Sequence, residues 1–149
     1  MEVKVVLAPQ YTTPIVEIRA QEMTPKIEKV VTFVEQEEVE KVTITKGKAF
    51  ILLEKQAVSL IRTEAKKVVI YEMDGVWHET NRTLAELEQL LGEGFVRISK
   101  SAIVNLQAIA SVKAAFSGTL ALLLTNGLEE SISRSYRKQF KSTLEAWLA

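Results

Sequence analysis

Apolar and polar residues alternate along most of this chain, and the alternation indicates short β-strands. In a strand with one buried face, successive side chains point to opposite sides of the sheet, so apolar positions recur with a period of two. Asp74-Gly75 and Asn126-Gly127 separate such runs and predict hairpin turns, because glycine tolerates the positive φ of a type I′ turn. Strands are predicted at residues 39–45, 49–53, 57–62, 67–73, 76–80, 109–116, 120–124 and 128–133.

Three segments have apolar residues at helical spacing instead. The first is predicted to begin after Thr24, a good N-cap residue that is followed by proline, and to run to about Glu38. The second follows Thr83, with Glu86 in the position that completes a capping box, and ends at a glycine. The third spans residues 135–149 and is amphipathic.

The first part of the chain differs from the rest in its order of elements. Residues 2–7 and 14–19 alternate and are predicted as strands, and the first helix follows them. The sequence therefore predicts a small strand-strand-helix appendage in residues 1–45. Residues 46–149 are predicted to form a mostly β domain, α+β overall, with one internal helix and a C-terminal helix.

Residues 95–106 have an unusual mixture of side chains. Core residues at both ends enclose a dense polar group. A buried strand does not carry such a group without a reason, and a solvated loop does not run directly into an apolar segment. We therefore expect a segment that is anchored in the core and presents polar side chains at the surface. Its polar members are Arg97, Ser99, Lys100, Ser101 and Asn105.

Composition narrows the class of protein. A chain of 149 residues with 47% apolar residues can form one ordinary domain and a short appendage. It has no cysteine, which excludes disulfides and thiolate chemistry and agrees with a reducing compartment. No apolar run approaches the roughly 20 residues that span a bilayer. The sequence predicts a soluble, cytoplasmic protein.

The formal net charge of zero hides an uneven distribution of charge. Residues 1–45 contain eight acidic and five basic residues, a net charge of −3, and residues 46–149 contain eleven acidic and fourteen basic residues, a net charge of +3. Residues 97–149 alone contain seven basic and three acidic residues, a net charge of +4. This gradient permits a polyanionic partner near the C-terminal end.

Catalytic candidates are few. The single histidine, His78, lies next to a predicted hairpin turn, where a histidine is more often a surface or hydrogen-bonded residue than a catalytic one. The acid pairs Glu37-Glu38 and Glu129-Glu130 are typical of solvated faces or hairpin edges. The sequence has no glycine-rich phosphate loop and no metal-ligand spacing. It therefore predicts neither an enzyme nor a cofactor, a metal or a small-molecule substrate.

Binding candidates are stronger, because three clusters combine basic residues with hydroxyl groups. They span residues 64–67, 97–101 and 131–138, where the strand pattern predicts loops or strand ends. Long cations bind phosphates and base edges, and hydroxyl groups bind phosphate oxygens. Each cluster can also consist of ordinary solubilising residues, and the residues alone leave both interpretations open.

The order of these motifs resembles the LytTR-type DNA-binding domain of bacterial transcription regulators. The family pattern is Phe-x-Arg-x-His-(Arg/Lys/Asn)-Ser-x-(Ile/Leu/Val)-Val-Asn, then an Asn-Gly hairpin, then a Ser-Arg end followed by a helix. The resemblance covers about residues 48–149. The matching residues are Phe95, Arg97, Ser99, Lys100, Ser101, Ile103, Val104 and Asn105, then Asn126-Gly127, then Ser133-Arg134, with the preceding helix Leu84-Ala85-Glu86-Leu87-Glu88-Gln89-Leu90-Leu91.

The resemblance implies stacked antiparallel β-sheets that place loops in successive major grooves of duplex DNA. The three clusters match the three contact loops of the family. Arg134 is then the first candidate for a base contact, since arginine can bind guanine O6 and N7 together, and Lys100 is the second. The resemblance gives phosphate contacts to Lys66 or Lys67, Ser101, Arg137 and Lys138, and it places Ser99 with Lys100 in the second contact loop, so Ser99 is also a candidate for DNA binding.

Two residues of the motif have other candidate roles. Arg97 either contacts DNA or makes a structural ion pair, and the sequence leaves this open. Asn105 is expected to satisfy backbone groups rather than contact DNA. Ser99 stands where the family commonly has histidine, so that contact is lost, replaced by the hydroxyl group, or taken over by Lys100. This difference affects the target sequence rather than the class of function.

The first 45 residues differ from the receiver domain that many family members carry. They contain no aspartate, since the first aspartate is Asp74, so they offer no phosphoacceptor. The chain resembles the short, stand-alone regulators of the family, for which a small membrane protein often acts as inhibitor. We expect residues 1–45 to serve dimerisation or the docking of such an inhibitor, and a homodimer to bind paired DNA repeats. The alternative is a protein-interaction or scaffold module that keeps the fold without DNA binding.

Overall fold

A computed structural model describes residues 1–35 and 41–149 of the protein, and the chain falls into two units, Met1–Glu38 and Val39–Ala149. In the first unit, helix α1 spans Pro25–Glu35. Its start is as predicted, because the Thr24 hydroxyl accepts a hydrogen bond from the Ile27 amide at 3.2 Å. The predicted end of this helix at Glu38, the acid pair Glu37-Glu38 and the start of the strand at Val39 lie outside the described residues.

The two strands predicted at residues 2–7 and 14–19 are wrong. Both segments lack regular structure, and their apolar side chains face solvent: Val3 is 83% exposed and Leu7 is 90% exposed. Alternation provides an apolar face, but a strand also needs a neighbour for its backbone hydrogen bonds and a core for that face. Within this unit the described residues supply neither. The N-terminal unit is therefore an irregular segment followed by a helix.

The second unit is mostly β, as predicted. Its helices are α2 (Leu84–Leu91) and α3 (Arg137–Leu148), the latter preceded by a 3₁₀ turn over Arg134–Tyr136. Its strands are β1 (Lys41–Lys46), β2 (Ala49–Glu54), β3 (Val58–Glu64), β4 (Lys67–Glu72), β5 (Trp77–Thr80), β6 (Phe95–Ser99), β7 (Ala102–Asn105), β8 (Ile109–Ala114), β9 (Leu120–Leu124) and β10 (Glu129–Ile132).

All strand pairs in the described part of the chain are antiparallel. A five-stranded sheet has the order β5-β4-β3-β7-β6, and a three-stranded sheet has the order β10-β9-β8. β1 and β2 form a separate hairpin. Both predicted hairpin turns occur, with Gly75 at φ +89° and Gly127 at φ +88°. Their preceding residues Asp74 and Asn126 keep negative φ, so neither is the type I′ turn that the sequence predicted.

The five-stranded sheet is the middle layer of this unit, because both of its faces are buried. One face packs with the three-stranded sheet and α3 in a core that contains Leu60, Val104 and Phe140. The other face packs with the β1–β2 hairpin and α2 in a core that contains Ile61 and Ile103. Neighbouring residues of β3 and β7 thus point into different cores, as the pleat requires. The middle sheet holds the loops at its ends in fixed positions.

Local interactions explain the boundaries of α2. The Thr83 hydroxyl accepts a hydrogen bond from the Glu86 amide at 3.1 Å, as the predicted cap requires. Gly92 ends the helix at φ +65°. Within residues 1–35 and 41–149, no helix combines the length and apolarity that crossing a membrane would need.

Candidate nucleic-acid interface

The turns that carry the first two clusters lie side by side at one end of the five-stranded sheet. β3 runs antiparallel to β7, with Arg62 opposite Ala102, so the end of β3 adjoins the start of β7. The Thr63 amide of β3 also donates to the carbonyl of Ser101, the residue before β7, at 2.9 Å. The sheet register therefore brings residues 64–67 next to residues 97–101, although 29 residues lie between them in the sequence.

The third cluster is attached to the same end of the sheet. The Ser133 amide donates to the Ile98 carbonyl at 3.0 Å, which places the junction between β10 and α3 beside the end of β6. Ser133 immediately precedes Arg134, and Ile98 immediately precedes Ser99. Two backbone hydrogen bonds thus connect all three clusters, and the sequence alone offered no way to foresee either bond.

The first cluster has a strained two-residue turn. Ala65 and Lys66 join β3 to β4 with φ of +47° and +66°, which is the pattern of a type I′ turn built without glycine. A positive φ at a residue other than glycine costs about 1 kcal/mol or more and persists only where the surrounding structure enforces it. Lys66 is exposed, with no ion pair among the described residues. Lys67 Nζ lies 3.2 Å from Glu79 Oε2, an exposed pair.

The second cluster forms the turn between β6 and β7. Lys100 is exposed, and the Ser99 hydroxyl accepts a hydrogen bond from the Ser101 amide at 3.1 Å. The two serine hydroxyl groups are 3.3 Å apart. Ser99 therefore shapes the turn that holds Lys100.

Arg97 is bound on three sides within the protein. Its Nε donates to the Ser99 carbonyl at 2.9 Å, its Nη2 donates to the Lys100 carbonyl at 2.6 Å, and its Nη1 pairs with Glu88 Oε2 at 3.1 Å. These bonds fasten the β6–β7 turn to α2. The structure thus gives Arg97 the structural ion pair that was one of its two candidate roles.

The third cluster lies against the loop between β8 and β9. Arg134 and Lys138 are exposed, and Arg137 is half-buried. Arg137 Nη1 donates to the Gly118 carbonyl at 3.3 Å. A Cβ atom on Gly118 would lie 3.1 Å from Arg134 Cδ, so glycine leaves room for the Arg134 side chain. The 3₁₀ turn that begins at Arg134 replaces the first turn predicted for the C-terminal helix.

The sequence did not predict a polar network that lies next to the three clusters. Arg62 Nε lies 2.6 Å from Glu64 Oε1, which also accepts a hydrogen bond from the Tyr71 hydroxyl at 2.6 Å. The Arg62 guanidinium lies 5.0 Å from the centre of the Tyr71 ring and pairs with Glu130 Oε2 at 3.1 Å. The network thus connects Glu64, which directly precedes the β3–β4 turn, to Glu130 of β10. The signal available in the sequence was a charged residue, Arg62, directly after three apolar or small positions of a strand.

The network shifts the pKa of its members. Hydrogen bonds from Tyr71 and then from Arg62 lower the pKa of the Glu64 carboxyl group. Burial, and then the hydrogen bond to Glu64, raise the pKa of Tyr71. Burial acts to lower the pKa of Arg62, but its hydrogen bonds to the carboxylates outweigh burial and raise it. The charged forms of Arg62 and Glu64 therefore stabilise each other.

Other polar residues lie at the opposite end of the middle sheet. Asn105 is buried, and its Nδ2 donates to the Val58 carbonyl at 2.8 Å, so it satisfies the backbone as expected. His78 Nε2 lies 3.1 Å from Glu72 Oε2. In the part of the chain that the structure describes, no three His, Asp or Glu side chains are grouped to hold a metal ion.

Comparison with known proteins identifies the family. The family model described as LytTr DNA-binding domain matches residues 48–145, well over half of the chain. The chain belongs to the LytTR family. Its mostly β architecture with an internal and a C-terminal helix is the fold of that family, and the structural resemblance confirms it. The LytTr DNA-binding domain of a Bacillus cereus protein superposes with a TM-score of 0.64 at 25% identity, over 70% of this chain and 96% of that one.

Two longer proteins are also similar to this chain. The sensory transduction protein LytT of Enterococcus faecalis is 33% identical over 94 residues, which are 62% of this chain and 38% of the relative. The transcriptional regulatory protein LytR of Staphylococcus aureus is 35% identical over 68 residues, which are 45% of this chain and 28% of the relative. The match thus spans well under half of the length of these relatives.

Proposed function

We propose that this protein is a sequence-specific, DNA-binding transcription regulator that inserts the loops at one end of its middle sheet into major grooves. The observation that carries the proposal is the convergence of three clusters, which the bonds from Thr63 to Ser101 and from Ser133 to Ile98 bring together. Dispersed solubilising residues need no such arrangement. A basic edge of this kind provides both phosphate contacts and donors for base edges.

The side chains divide between the two kinds of contact. Arg134 is exposed at the end of β10 and can bind guanine through two hydrogen bonds, and Lys100 is exposed at the tip of its turn. We assign base contacts to these two. The phosphate contacts are assigned to Lys66, Lys67, Ser101, Arg137 and Lys138, while Ser99 positions Lys100 through its bond to the Ser101 amide.

The proposal extends to the assembly. We infer that a homodimer binds paired DNA repeats in the bacterial cytoplasm, and that residues 46–149 are the DNA-binding part. Residues 1–45 would then provide dimerisation or the docking site of a small membrane-protein inhibitor. The exposed apolar side chains of Val3, Leu7 and Phe33 support such a role, because apolar surface of this kind favours a partner.

A selection experiment tests the function. Wild-type protein is used to enrich duplexes from a library with a randomised central segment, and binding to the enriched duplex is compared with binding to random duplex. Enrichment of one motif is the expected result. If no motif is enriched and affinity depends on salt alone, the protein is not a sequence-specific regulator.

Variants then separate the two kinds of contact. Arg134→Lys keeps the charge but loses the paired hydrogen bonds, so discrimination should fall by about tenfold or more while the salt dependence stays unchanged. Lys138→Ala should weaken binding to all duplexes and lower the salt dependence by about one phosphate contact. Lys48→Ala, an exposed lysine of the β1–β2 hairpin, is the control.

The scaffold alternative has less support. Its motivation is the acid pair Glu129-Glu130 near the third cluster. Glu130 Oε2 is occupied by Arg62, and Glu130 Oε1 accepts a hydrogen bond from the Ser131 amide at 3.1 Å. The negative charge of Glu130 is therefore largely neutralised within the protein.

A further inference from the structure

Phe116 is the most exposed large apolar side chain in the described part of the chain, with 93% of its surface accessible. The sequence placed it at the end of a strand that spans 109–116, but β8 ends at Ala114 and Phe116 begins a 3₁₀ turn between β8 and β9. A fully solvated phenylalanine gives up the favourable burial of its ring. The ring lies next to the basic clusters, and this position suggests which kind of partner covers it.

The loop that carries Phe116 is ordered by its own hydrogen bonds. The Phe116 carbonyl accepts from the Thr119 amide at 3.2 Å and from the Thr119 hydroxyl at 2.8 Å. The Ala115 amide donates to the Thr119 carbonyl at 3.0 Å. Ser117 adopts φ +58°, a left-handed conformation that is uncommon outside glycine. A closed turn thus displays the ring at a defined place.

That place belongs to the proposed DNA-binding edge. β9 begins at Leu120, which pairs with Ile132 at the end of β10, so the loop adjoins the β10–α3 junction. Arg137 Nη1 donates to the Gly118 carbonyl, and the Arg134 side chain runs alongside Gly118. Phe116 therefore lies two residues before Gly118, whose carbonyl binds Arg137 and whose lack of a side chain leaves room for Arg134.

We propose that Phe116 is a further DNA-contact residue, outside the three clusters, whose ring packs on thymine methyl groups in the major groove beside the base that Arg134 reads. Hydroxyl groups and cations contact phosphates and hydrogen-bonding base edges, but the thymine C5-methyl group is recognised by apolar side chains, phenylalanine among them. The basic edge around Arg134, Arg137 and Lys138 attracts a polyanion, which makes DNA the occupant that the charge favours. The proposal rests on the proposed function.

The test uses the duplex enriched by the full-length wild-type protein. Phe116→Ala should weaken binding to this duplex by about tenfold, and Phe116→Leu by less, because leucine keeps part of the apolar contact. The salt dependence should stay unchanged, since no charge is removed. The matched control is Phe50→Ala, because Phe50 is another exposed phenylalanine, 74% accessible, in the separate β1–β2 hairpin.

Thymine-to-uracil replacement identifies the contact. Each thymine of the duplex is replaced in turn by deoxyuridine, which removes only the methyl group. At one or two positions the replacement should weaken binding of the wild-type protein but leave the already weaker binding of Phe116→Ala unchanged. If every replacement affects both proteins equally, the ring does not contact a thymine methyl group and the proposal is overturned.

The outcomes separate this inference from the proposed function. If the wild-type protein selects a motif and Phe116→Ala binds it as tightly as wild type, only the role of Phe116 is refuted. If the wild-type protein selects no motif, the regulator itself is refuted, and the Phe116 contact with it. Because the ring is solvated, Phe116→Ala should unfold at the same temperature as wild type, so a loss of binding reports a lost contact rather than a lost fold.

Discussion

Arg62 of β3 and Glu130 of β10 form an ion pair that links the five-stranded sheet to the three-stranded sheet, with Nη1 and Oε2 3.1 Å apart. Both side chains are largely shielded, with 25% and 22% of their surface accessible. Arg62 also binds Glu64, one residue before the strained turn that carries Lys66. The pair therefore couples the position of the first cluster to that of the strand that leads to Arg134.

The Arg62–Glu130 pair should contribute measurably to stability. Arg62→Ala and Glu130→Gln are each expected to lower the free energy of unfolding by about 1–3 kcal/mol, because hydrogen bonds to charged groups are lost in a partly shielded site. The double variant should lose less than the sum of the two. Urea unfolding of the three variants measures the coupling.

An exposed ion pair provides the control for this cycle. Arg19 and Glu17 are 3.3 Å apart, with 86% and 66% of their side-chain surfaces accessible, so their coupling should be close to zero. A coupling between Arg62 and Glu130 no larger than that of the exposed pair would show that the two sheets are not held together by this contact.

The hydrogen bond between Tyr71 and Glu64 should make stability depend on pH at both extremes. The pKa of Glu64 is lowered in the folded protein, so its contribution is fully present above its ordinary value of 4.5 and is lost as pH falls through the folded value. The pKa of Tyr71 is raised, so its contribution is fully present below its ordinary value of 10.0 and is lost as pH rises through the folded value.

Tyr71→Phe should flatten both limbs of this profile. The variant lacks the phenol that titrates and the hydrogen bond that lowers the pKa of Glu64. Free energies of unfolding by urea, measured at intervals from acid to alkaline pH, test this. Tyr11→Phe is the control, since Tyr11 is exposed in the N-terminal unit. A profile for Tyr71→Phe that parallels the wild-type profile would contradict the assignment.

The sequence could predict the parts of this fold that depend on local chemistry. The cap at Thr83, the two glycine hairpins and eight of the strands of the β domain follow from residue types and their spacing, whereas β6 and β7 were predicted only as a core-anchored segment with polar side chains. The same period-two rule failed at residues 2–7 and 14–19, because alternation is only half of the requirement for a strand. A partner strand and a core are supplied by tertiary structure, which the pattern does not contain.

The arrangement of the candidate interface depended on long-range contacts. The sequence marked three clusters, but only the tertiary structure shows that Ser101 adjoins Thr63 and that Ser133 adjoins Ile98. The type I′ turn was expected at the Asp-Gly and Asn-Gly pairs and occurs instead between β3 and β4, where Ala65 and Lys66 carry the positive φ. Neighbouring strands impose that strain, and residue propensity opposes it.

Replacing Arg97 should loosen the β6–β7 turn. Arg97→Lys keeps the charge but cannot bind the Ser99 carbonyl, the Lys100 carbonyl and Glu88 at once, so we expect the free energy of unfolding to fall by about 1–3 kcal/mol. Faster hydrogen exchange of the turn amides should accompany it. Glu88→Gln, which leaves both carbonyl bonds in place, should have a smaller effect.

DNA binding distinguishes the two roles first considered for Arg97. If the residue is structural, discrimination between enriched and random duplexes falls in proportion to the loosening of the turn. A loss of discrimination at unchanged stability and unchanged hydrogen exchange would instead show a direct contact between Arg97 and DNA.

Asn105 should matter for stability and not for DNA binding. It is only 3% exposed; its Nδ2 donates to the Val58 carbonyl at 2.8 Å, and its Oδ1 accepts from the Gln107 amide at 3.0 Å. Asn105→Ala leaves the buried Val58 carbonyl without this donor and removes the bond to the Gln107 amide, so the free energy of unfolding, measured with urea, should fall by about 1–3 kcal/mol. Asn81→Ala, at an exposed position, should change stability little.

DNA binding should not depend on Asn105. Asn105 lies at the end of β7 far from Ser101, so the folded Asn105→Ala variant should discriminate between duplexes as the wild type does. Lost discrimination in a fully folded Asn105→Ala protein would mean that the DNA-binding edge extends further along the sheet than its three clusters.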